Sequence, residues 1–530
     1  MSLSMVRCLA PALGLALLAP AGAGAAEGLG RVNHVVVVMQ ENHSFDNYLG
    51  ALPYVRGGPY HPGPCAPDDP RCVDGLRCRR TPSGLACADS NRDDDGSRVR
   101  AFHAVTYCPG PDLRHDWPGS HQEANFLFPT LSWLASPNDG FVRVNDGATR
   151  LVPPAVPDGV GQHPPDAGAE QRTDDATMSF YDEGDLPFYY ALAQTFAISD
   201  RYFASVIGPT FPNRSYALAA TSFGHVTTAE ELPPLPPEVP PPGGYRPVTG
   251  TIMDLLDAQG VTWTDYFADV PTTAIFRGVD LRHARPVTDF LAIAAAPTCT
   301  LPQVSFVDPA FGINPLGIPV PPAENDEHPP TDIRAGQYYV SLLVNALRNS
   351  PCWQDSVLFF TYDEHGGFFD HVAPPRAAQG GQRTPDGISP GQCADLSGPP
   401  ASERPGGGAQ CGVSEIDAAA ICPGFAPTRP YPGFCASFDQ LGFRVPFVAV
   451  SPFSRPHHVS HRVADHASIL AFIERRFLDA GGAPAHLTLR DRDAWPLEDL
   501  FDFDRAPSLG AGIPTAPVPL PDDPGCPFVP

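Results

Sequence analysis

Two stretches of this chain run apolar and then stop at carboxylates. Val35-Val36-Val37-Val38-Met39 gives way to Glu41-Asn42-His43-Ser44-Phe45-Asp46, and Val357-Leu358-Phe359-Phe360 gives way to Asp363-Glu364-His365-Gly366-Gly367. An uninterrupted apolar run fits a strand buried on both faces of a parallel sheet. Ligands of open α/β sheets sit beyond the carboxyl ends of such strands. Acidic and amide oxygens from two strand ends can converge on one divalent cation, with glycines behind them letting the chain turn sharply. Taken singly, Glu41 and Asn42 would serve equally as caps of a following helix. A third stretch, Gly208-Pro209-Thr210-Phe211-Pro212-Asn213-Arg214-Ser215, offers a hydroxyl in a strand-to-helix turn fixed by two prolines. Thr210 would there meet backbone N–H groups able to receive an anion such as phosphate, or else act as a plain helix cap.

The elements that must position these groups alternate between strand and helix, which argues for an α/β fold. Strands are expected at 34–40, 261–267, 356–362 and 445–450, and helices over 185–196, 216–221, 251–258, 336–348 and 465–477. The last helix opens on Asp465-His466 and puts Ile469, Ile473 and Phe477 on one face. Between the elements lie Asp112-Leu113-Arg114-His115-Asp116-Trp117, with His121 following, and the loop Glu324-Asn325-Asp326-Glu327-His328-Pro329-Pro330. Segments 51–112, 137–175, 233–247 and 373–442 read as insertions into a single domain over 26–530, and 480–530 as an irregular tail draped over the surface. The stretch 233–247 is a polyproline spacer. Within the first insertion, Asp89-Ser90-Asn91-Arg92-Asp93-Asp94-Asp95-Gly96 alternates oxygen ligands before a glycine, as calcium loops do, although Phe102 stands where the closing acid would be. A structural Ca2+ at Asp89–Asp95 and a solvated acidic loop are the two readings.

The formal charge of −25 over 530 residues excludes nucleic acid as a partner, since phosphate backbones need clustered Lys and Arg. With 66 prolines and 49 glycines beside an ordinary 42% of hydrophobic residues, the chain should be folded and rich in loops. Arg7, the apolar run Leu9–Leu18 and Ala23-Gly24-Ala25 have the order of a secretory signal over 1–25, and that run is too short to span a membrane. Removal of that segment takes Cys8 and leaves twelve of the 13 cysteines, an even number that suggests disulfides in a secreted or periplasmic protein. Their spacing does not reveal the pairing.

Glu41-Asn42-His43-Ser44-Phe45-Asp46 after a valine-rich strand resembles the ENRSFD signature of the phosphoesterase family, which contains bacterial and plant non-specific phospholipases C and a bacterial acid phosphatase. The likeness continues in order through Asp112–Trp117, Gly208–Arg214, His328-Pro329-Pro330, Thr361–Val372 and Asp465-His466. It implies an alkaline-phosphatase-like α/β/α sandwich with a central mostly parallel sheet, here carrying long disulfide-stapled loop insertions. It also implies a divalent metal held by Glu41, Asn42, Thr210, Asp363 and Glu364, with Thr210 as nucleophile. His115, His328 and His371 would stabilise phosphoryl oxygens or protonate the leaving group, and His466 would join them or simply cap and pack the last helix. His43 stands where the family usually has Arg, which would soften a contact there.

The resemblance implies a secreted metal-dependent phosphoric ester hydrolase, with phospholipase C-type cleavage through a phospho-threonine intermediate as first reading. Its threonine favours that reading, because the family's phospholipases tend to carry threonine and its acid phosphatase serine. Acid phosphatase or phosphodiesterase action on soluble esters is the alternative, and a catalytically inactive secreted binding protein a third. The partner expected is a phospholipid or small phosphate ester, with transient contact to a membrane surface and no transmembrane segment. The family's bacterial phospholipases often carry further C-terminal β-domains, for which no pattern follows the last helix here.

Overall fold

The computed structural model describes residues 28–510 except 94–96, 110–111, 126–137, 146–172, 226–227, 229–244, 246, 248, 277, 313–323, 378–385, 387–437 and 480–484. The expected signal segment, the polyproline spacer up to residue 244 and the four cysteines of the 373–442 insertion lie outside the described residues.

One eight-stranded sheet organises the molecule. Its strands are β1 (His34–Gln40), β2 (Ala197–Ser199), β3 (Trp263–Phe267), β4 (Ala284–Pro286), β5 (Val304–Asp308), β6 (Ser356–Tyr362), β7 (Phe447–Val450) and β8 (Val459–Ser460). They lie in the order β4-β3-β5-β1-β6-β7-β2-β8. Every pairing is parallel except those of β7, which runs against both β6 and β2. The expected mostly parallel sheet is present, with the strand expected at 445–450 entering it reversed. β6 is buried at all seven positions and β1 at all but His34. Side chains alternate across a sheet, so both faces must be covered. Val35–Val38 and Val357–Phe360 belong to the main hydrophobic core.

The helices that matter here are α1 (Phe45–Leu49), α2 (Trp117–Ala124), α3 (Pro187–Thr195), α4 (Thr210–Ala219), α5 (Ile252–Gln259), α6 (Val287–Ala295), α7 (Ile333–Arg348), α8 (His466–Phe477) and α9 (Leu489–Asp493). α4 packs against α5 and α8, and α7 against α3 and α6. Most start on a side-chain cap. The Thr251 hydroxyl accepts from the Asp254 N–H, and Asp332 accepts from the Arg334 N–H. α4 begins six residues earlier than its apolar pattern suggested, because Pro209 and Pro212 are compatible with a first helical turn.

Two expectations are corrected. The tail is not wholly irregular: Thr488 caps α9, Arg490 is buried against Asp465 and Ser205, and Leu500 and Phe501 join the core. The insertion over 51–112 is likewise not only a surface feature. Three short two-stranded pairings lie within it, and its Leu76, Cys87 and Ala101 share a second hydrophobic cluster with Phe141, Met178 and Phe369.

Three disulfides are formed among the described residues: Cys65–Cys72, Cys78–Cys87 and Cys299–Cys352. The first two staple the insertion. The third joins the segments leading into β5 and β6, the neighbours of β1. In the candidate calcium loop, Asp89 instead holds Arg77 through its N–H and guanidinium, and the Asn91 amide bridges Asn138 and Phe141. Asp94 to Gly96 lie outside the described residues.

Candidate active site

The register of the sheet brings the carboxylates together. Gln40 pairs with Tyr362, so the chain leaves β1 at Glu41-Asn42 directly beside the point where it leaves β6 at Asp363-Glu364. β5, on the other side of β1, ends at Asp308. All of these side chains are buried.

Asn42 is the pivot. It adopts a left-handed φ of 67°, a conformation Asn tolerates better than most residues, and donates its N–H to Asp363 Oδ1 at 3.2 Å. Gly366 and Gly367 both have positive φ, and a Cβ on Gly366 would stand 2.1 Å from the Asn42 carbonyl oxygen. Glycine is therefore required for the chain after β6 to fold back over the end of β1. The expected sharp glycine turn is present, and its purpose is this close approach.

Burial raises the Glu41 and Asp363 carboxyls above their usual range, partly offset by the Arg214 guanidinium. Burial also acts to raise Glu364, but the nearby charges of His115 and His365 outweigh it and hold the group below its usual range. His365 lies between Glu123 (2.7 Å) and Glu364 (3.1 Å). Burial disfavours its charge, yet these two carboxylates push the imidazole up to about 9. A histidinium with both ring N–H groups on carboxylates fixes the orientation of Glu364. Gly366 N–H adds a bond to Glu364 Oε2.

What remains unpaired is informative. Asn42 Oδ1, Asn42 Nδ2 and Glu364 Oε1 are buried without a hydrogen-bond partner among the described residues. Orphaned buried oxygens are costly unless something else satisfies them. Two orphaned oxygens beside the Glu41 and Asp363 carboxylates form a hard-oxygen donor set suited to a divalent cation. The residues present therefore fit the metal that the sequence implied.

Thr210 is the first residue of α4, with Pro209 before it. Arg214 lies four residues on and so shares its helix face. That arginine reaches Glu41 at 3.0 Å and Asp363 at 3.3 Å, which places the Thr210 face of α4 toward the strand ends. The helix start offers fewer amide donors than expected. Phe211 N–H donates to Thr228 Oγ1, Asn213 N–H closes onto Pro209 O, and Pro212 has none.

His115 and His328 stand edge to face, with ring centroids 5.8 Å apart. His115 donates Nδ1–H to Leu113 O, and its charge is favoured by Glu364 and Asp112 against the cost of burial. Asp112, His115 and His328 each direct a ligand-type atom within 4.8 Å of the others. Asp326 carries His328 N–H on its carboxylate and is raised by burial to about 8, while its carbonyl accepts from Glu41 N–H. The 324–331 loop is thereby pinned to the end of β1.

His371 is not brought to this group. Its Nδ1 donates to Asp46 at 2.6 Å and its Nε2 to Asp74 at 3.3 Å. It is part of a buried cluster with Asp370 and Arg444. With both nitrogens on carboxylates its charge is favoured; His365, six residues earlier in the same motif, is the one that contacts Glu364. His466 donates Nε2–H to the Asp363 carbonyl at 2.7 Å and is held neutral by burial, at about 4. Its other nitrogen, Nδ1, faces the Tyr202 hydroxyl at 3.2 Å, so both ring nitrogens are engaged within the protein.

His43 also faces away. Its ring stacks between Tyr48 and Phe368 and its Nε2–H donates to the Glu327 carbonyl. The residue at this position therefore braces the 324–331 loop. Arg214, His365, Glu123, Asp308 and Asp326 were not assigned from sequence. Arg214 and His365 stood inside recognised motifs. Glu123 carried no local signal at all.

The model of the phosphoesterase family matches residues 32–478 of this chain. Phospholipase C B of Mycobacterium tuberculosis is 28% identical over 92% of the chain and 81% of its own length. Non-specific phospholipase C1 of Arabidopsis thaliana is 31% identical over 88% and 70%. Among solved structures, a protein in the alkaline phosphatase superfamily from Vibrio parahaemolyticus aligns over 55% of this chain and 60% of its own, at 11% identity and a TM-score of 0.27. That structural correspondence is loose, and the fold assignment rests on the sheet itself.

Proposed function

Because the chain belongs to the phosphoesterase family, and is thus a hydrolase acting on phosphoric ester bonds, we propose that it is an exported, metal-dependent phospholipase C-type enzyme working through a phospho-threonine intermediate. The observation that carries the metal dependence is the pair of orphaned oxygens, on Asn42 and Glu364, beside two buried carboxylates. Glu41, Asn42, Asp363, Glu364 and Thr210 would hold the ion. A divalent cation there supplies Lewis acidity toward a coordinated hydroxyl and neutralises phosphoryl charge.

Thr210 Oγ attacks phosphorus in line, losing its hydroxyl proton to solvent and forming an Oγ–P bond as the bond to the glycerol oxygen breaks. His115 or His328 delivers the proton that the departing alkoxide needs. Water then cleaves the Oγ–P bond, releasing the phosphorylated head group and restoring the hydroxyl. The phospholipid substrate is carried over from the relatives, which are phospholipases by name. The cystine pairs support export.

The test is hydrolysis of phosphatidylcholine beside p-nitrophenyl phosphate, by wild type, Thr210→Ala and Thr210→Ser. Diacylglycerol release that falls at least roughly 10³-fold in Thr210→Ala and survives partly in Thr210→Ser is the expected result. Turnover of the soluble monoester alone would move the assignment to an acid phosphatase. Full activity of Thr210→Ala would remove the nucleophile from the scheme.

A further inference from the structure

Among the described residues, Arg214 is the one guanidinium that bridges the two strand ends. Its side chain is 3% exposed. Nη2 lies 3.0 Å from Glu41 Oε1, Nε 3.3 Å from Asp363 Oδ2 and Nη1 3.6 Å from Asp308 Oδ1. Thr272 Oγ1 accepts at 3.3 Å, and the Phe311 ring faces the guanidinium at 4.9 Å. These three carboxylates come from the ends of three adjacent strands. Two of them, Glu41 and Asp363, are residues placed above as metal-holding groups.

Buried like charges at this spacing repel strongly and are tolerated only with a counter-charge. A divalent cation provides one. Arg214 is a second that is covalently part of the chain. It donates Nε–H to Asp363 Oδ2, while Asp363 Oδ1 is held separately by the N–H groups of Asn42 and Glu364. Its Nη2 stands 3.0 Å from one oxygen of Glu41 as an ion pair without hydrogen-bond geometry, so the arginine orients Asp363 and balances the charge of Glu41.

We propose that Arg214 is a positioning residue that acts as the site's resident counter-cation, holding the Glu41 and Asp363 carboxylates in place in the metal-free protein. Guanidinium and metal then stabilise the same two groups, so their contributions to stability overlap. The inference rests on the metal reading given above, but its test does not require turnover.

The experiment is thermal melting of the full chain, wild type and Arg214→Met, after treatment with EDTA and again with excess magnesium, calcium, manganese or zinc chloride. The expected result is a larger loss of Tm in the chelated variant than in the loaded one, so that the rise produced by the metal at least doubles. Arg214→Lys, which keeps the charge but not the planar fork, should fall between the two. Adding Glu41→Gln to Arg214→Met should return the chelated Tm toward wild type, because a carboxylate then no longer lacks its partner. A variant that folds only when the ion is supplied is the limiting form of the expected result.

Equal Tm losses with and without metal would overturn the proposal and leave Arg214 as an ordinary structural ion pair. Failure to fold under both conditions would overturn it too, since the arginine would then do more than balance these acids. A wild type whose Tm ignores every ion tested sinks the metal reading along with it. A wild type stabilised by an ion but inert toward phosphate esters sinks the proposed function and leaves this inference standing.

Discussion

Asn42→Ala gives the sharpest reading of whether the strand ends are built for a cation. In the metal-free protein the Asn42 carboxamide is a liability, because Oδ1 and Nδ2 are buried with no partner among the described residues. A buried polar group left unsatisfied costs about 1–3 kcal/mol. Alanine removes that cost but sits less well than Asn at a φ of 67°, a penalty of about 1 kcal/mol. The two nearly offset, so the chelated variant should be between unchanged and about 2 kcal/mol more stable than wild type. The loaded protein moves the other way. Losing an oxygen ligand should weaken metal binding at least as much as losing a supporting contact does, roughly 10–100-fold. That is about 1.4–2.7 kcal/mol. At about 2 °C per kcal/mol for a chain this large, the metal-dependent rise in Tm shrinks by about 3–5 °C. Melts with and without ion, backed by calorimetric titration of the chelated protein, measure both arms. A variant that is destabilised when chelated, yet keeps the full metal-dependent rise, would refute the reasoning: the amide would then be paired within the protein and not reserved for an ion.

Two further outcomes follow from the same geometry. Burial acts against the His371 charge, but Asp46 and Asp74 outweigh it and push the imidazole up to about 10. Its stabilisation is complete below an unfolded value of about 6.5 and lost as pH rises through about 10. His371→Gln should cost about 1.5–3 kcal/mol at pH 6 and flatten the fall in Tm between pH 7 and 10; an unchanged slope would show that other groups set it. The Cys299–Cys352 disulfide closes a separation of 53 residues at the end of the strands remote from the carboxylates. Replacing both cysteines by serine should lower stability by up to about 4 kcal/mol in urea unfolding while leaving the rate per folded molecule intact; a loss of rate at full folding would contradict that separation.

The parts legible in the sequence are those whose signal is local. A run such as Val35–Met39 must be a two-sided buried strand, and the polar residues that end it must lie at the rim of a sheet, so Glu41, Asn42, Asp363 and Glu364 were found together. The strand Ser356–Tyr362 has the bounds its composition implied. Signals that depend on how the chain returns were not legible. His365 and His371 stand six residues apart in one motif, and only the turn at Gly366, packed on Asn42, and Gly367, packed on Leu113 and Arg114, decides which of them meets Glu364. The reversed β7 is as apolar as a parallel strand, so its direction left no trace in its residues. Arg444 and Asp46 are 398 positions apart and form a buried ion pair that neither neighbourhood announces. Glu123 is one acidic residue on a short polar helix until His365 arrives beside it.

At residue 43 the motif divides by side-chain direction. Within Glu41-Asn42-His43 the chain turns through a left-handed residue, so consecutive side chains diverge. Glu41 and Asn42 stay with the strand ends, while the ring of His43 enters an aromatic stack and supports Glu327. Glu327 in turn accepts the hydroxyls of Tyr48, Tyr189 and Tyr362, and a Cβ on Gly336 would stand 2.1 Å from its Cγ. The loop that carries Asp326 and His328 is therefore anchored from behind by a buried carboxylate, and from in front by the Glu41 N–H on Asp326 O. A site that asks several acids to share one small volume needs this kind of bracing, because mutual repulsion would otherwise move the most mobile of them. The strands brace Glu41 and Asp363, His365 braces Glu364, and Glu327 braces the loop. The signature is thus half chemistry and half scaffold, and a substitution on its scaffold side, such as His43, leaves the chemical groups in place as long as the stack still closes.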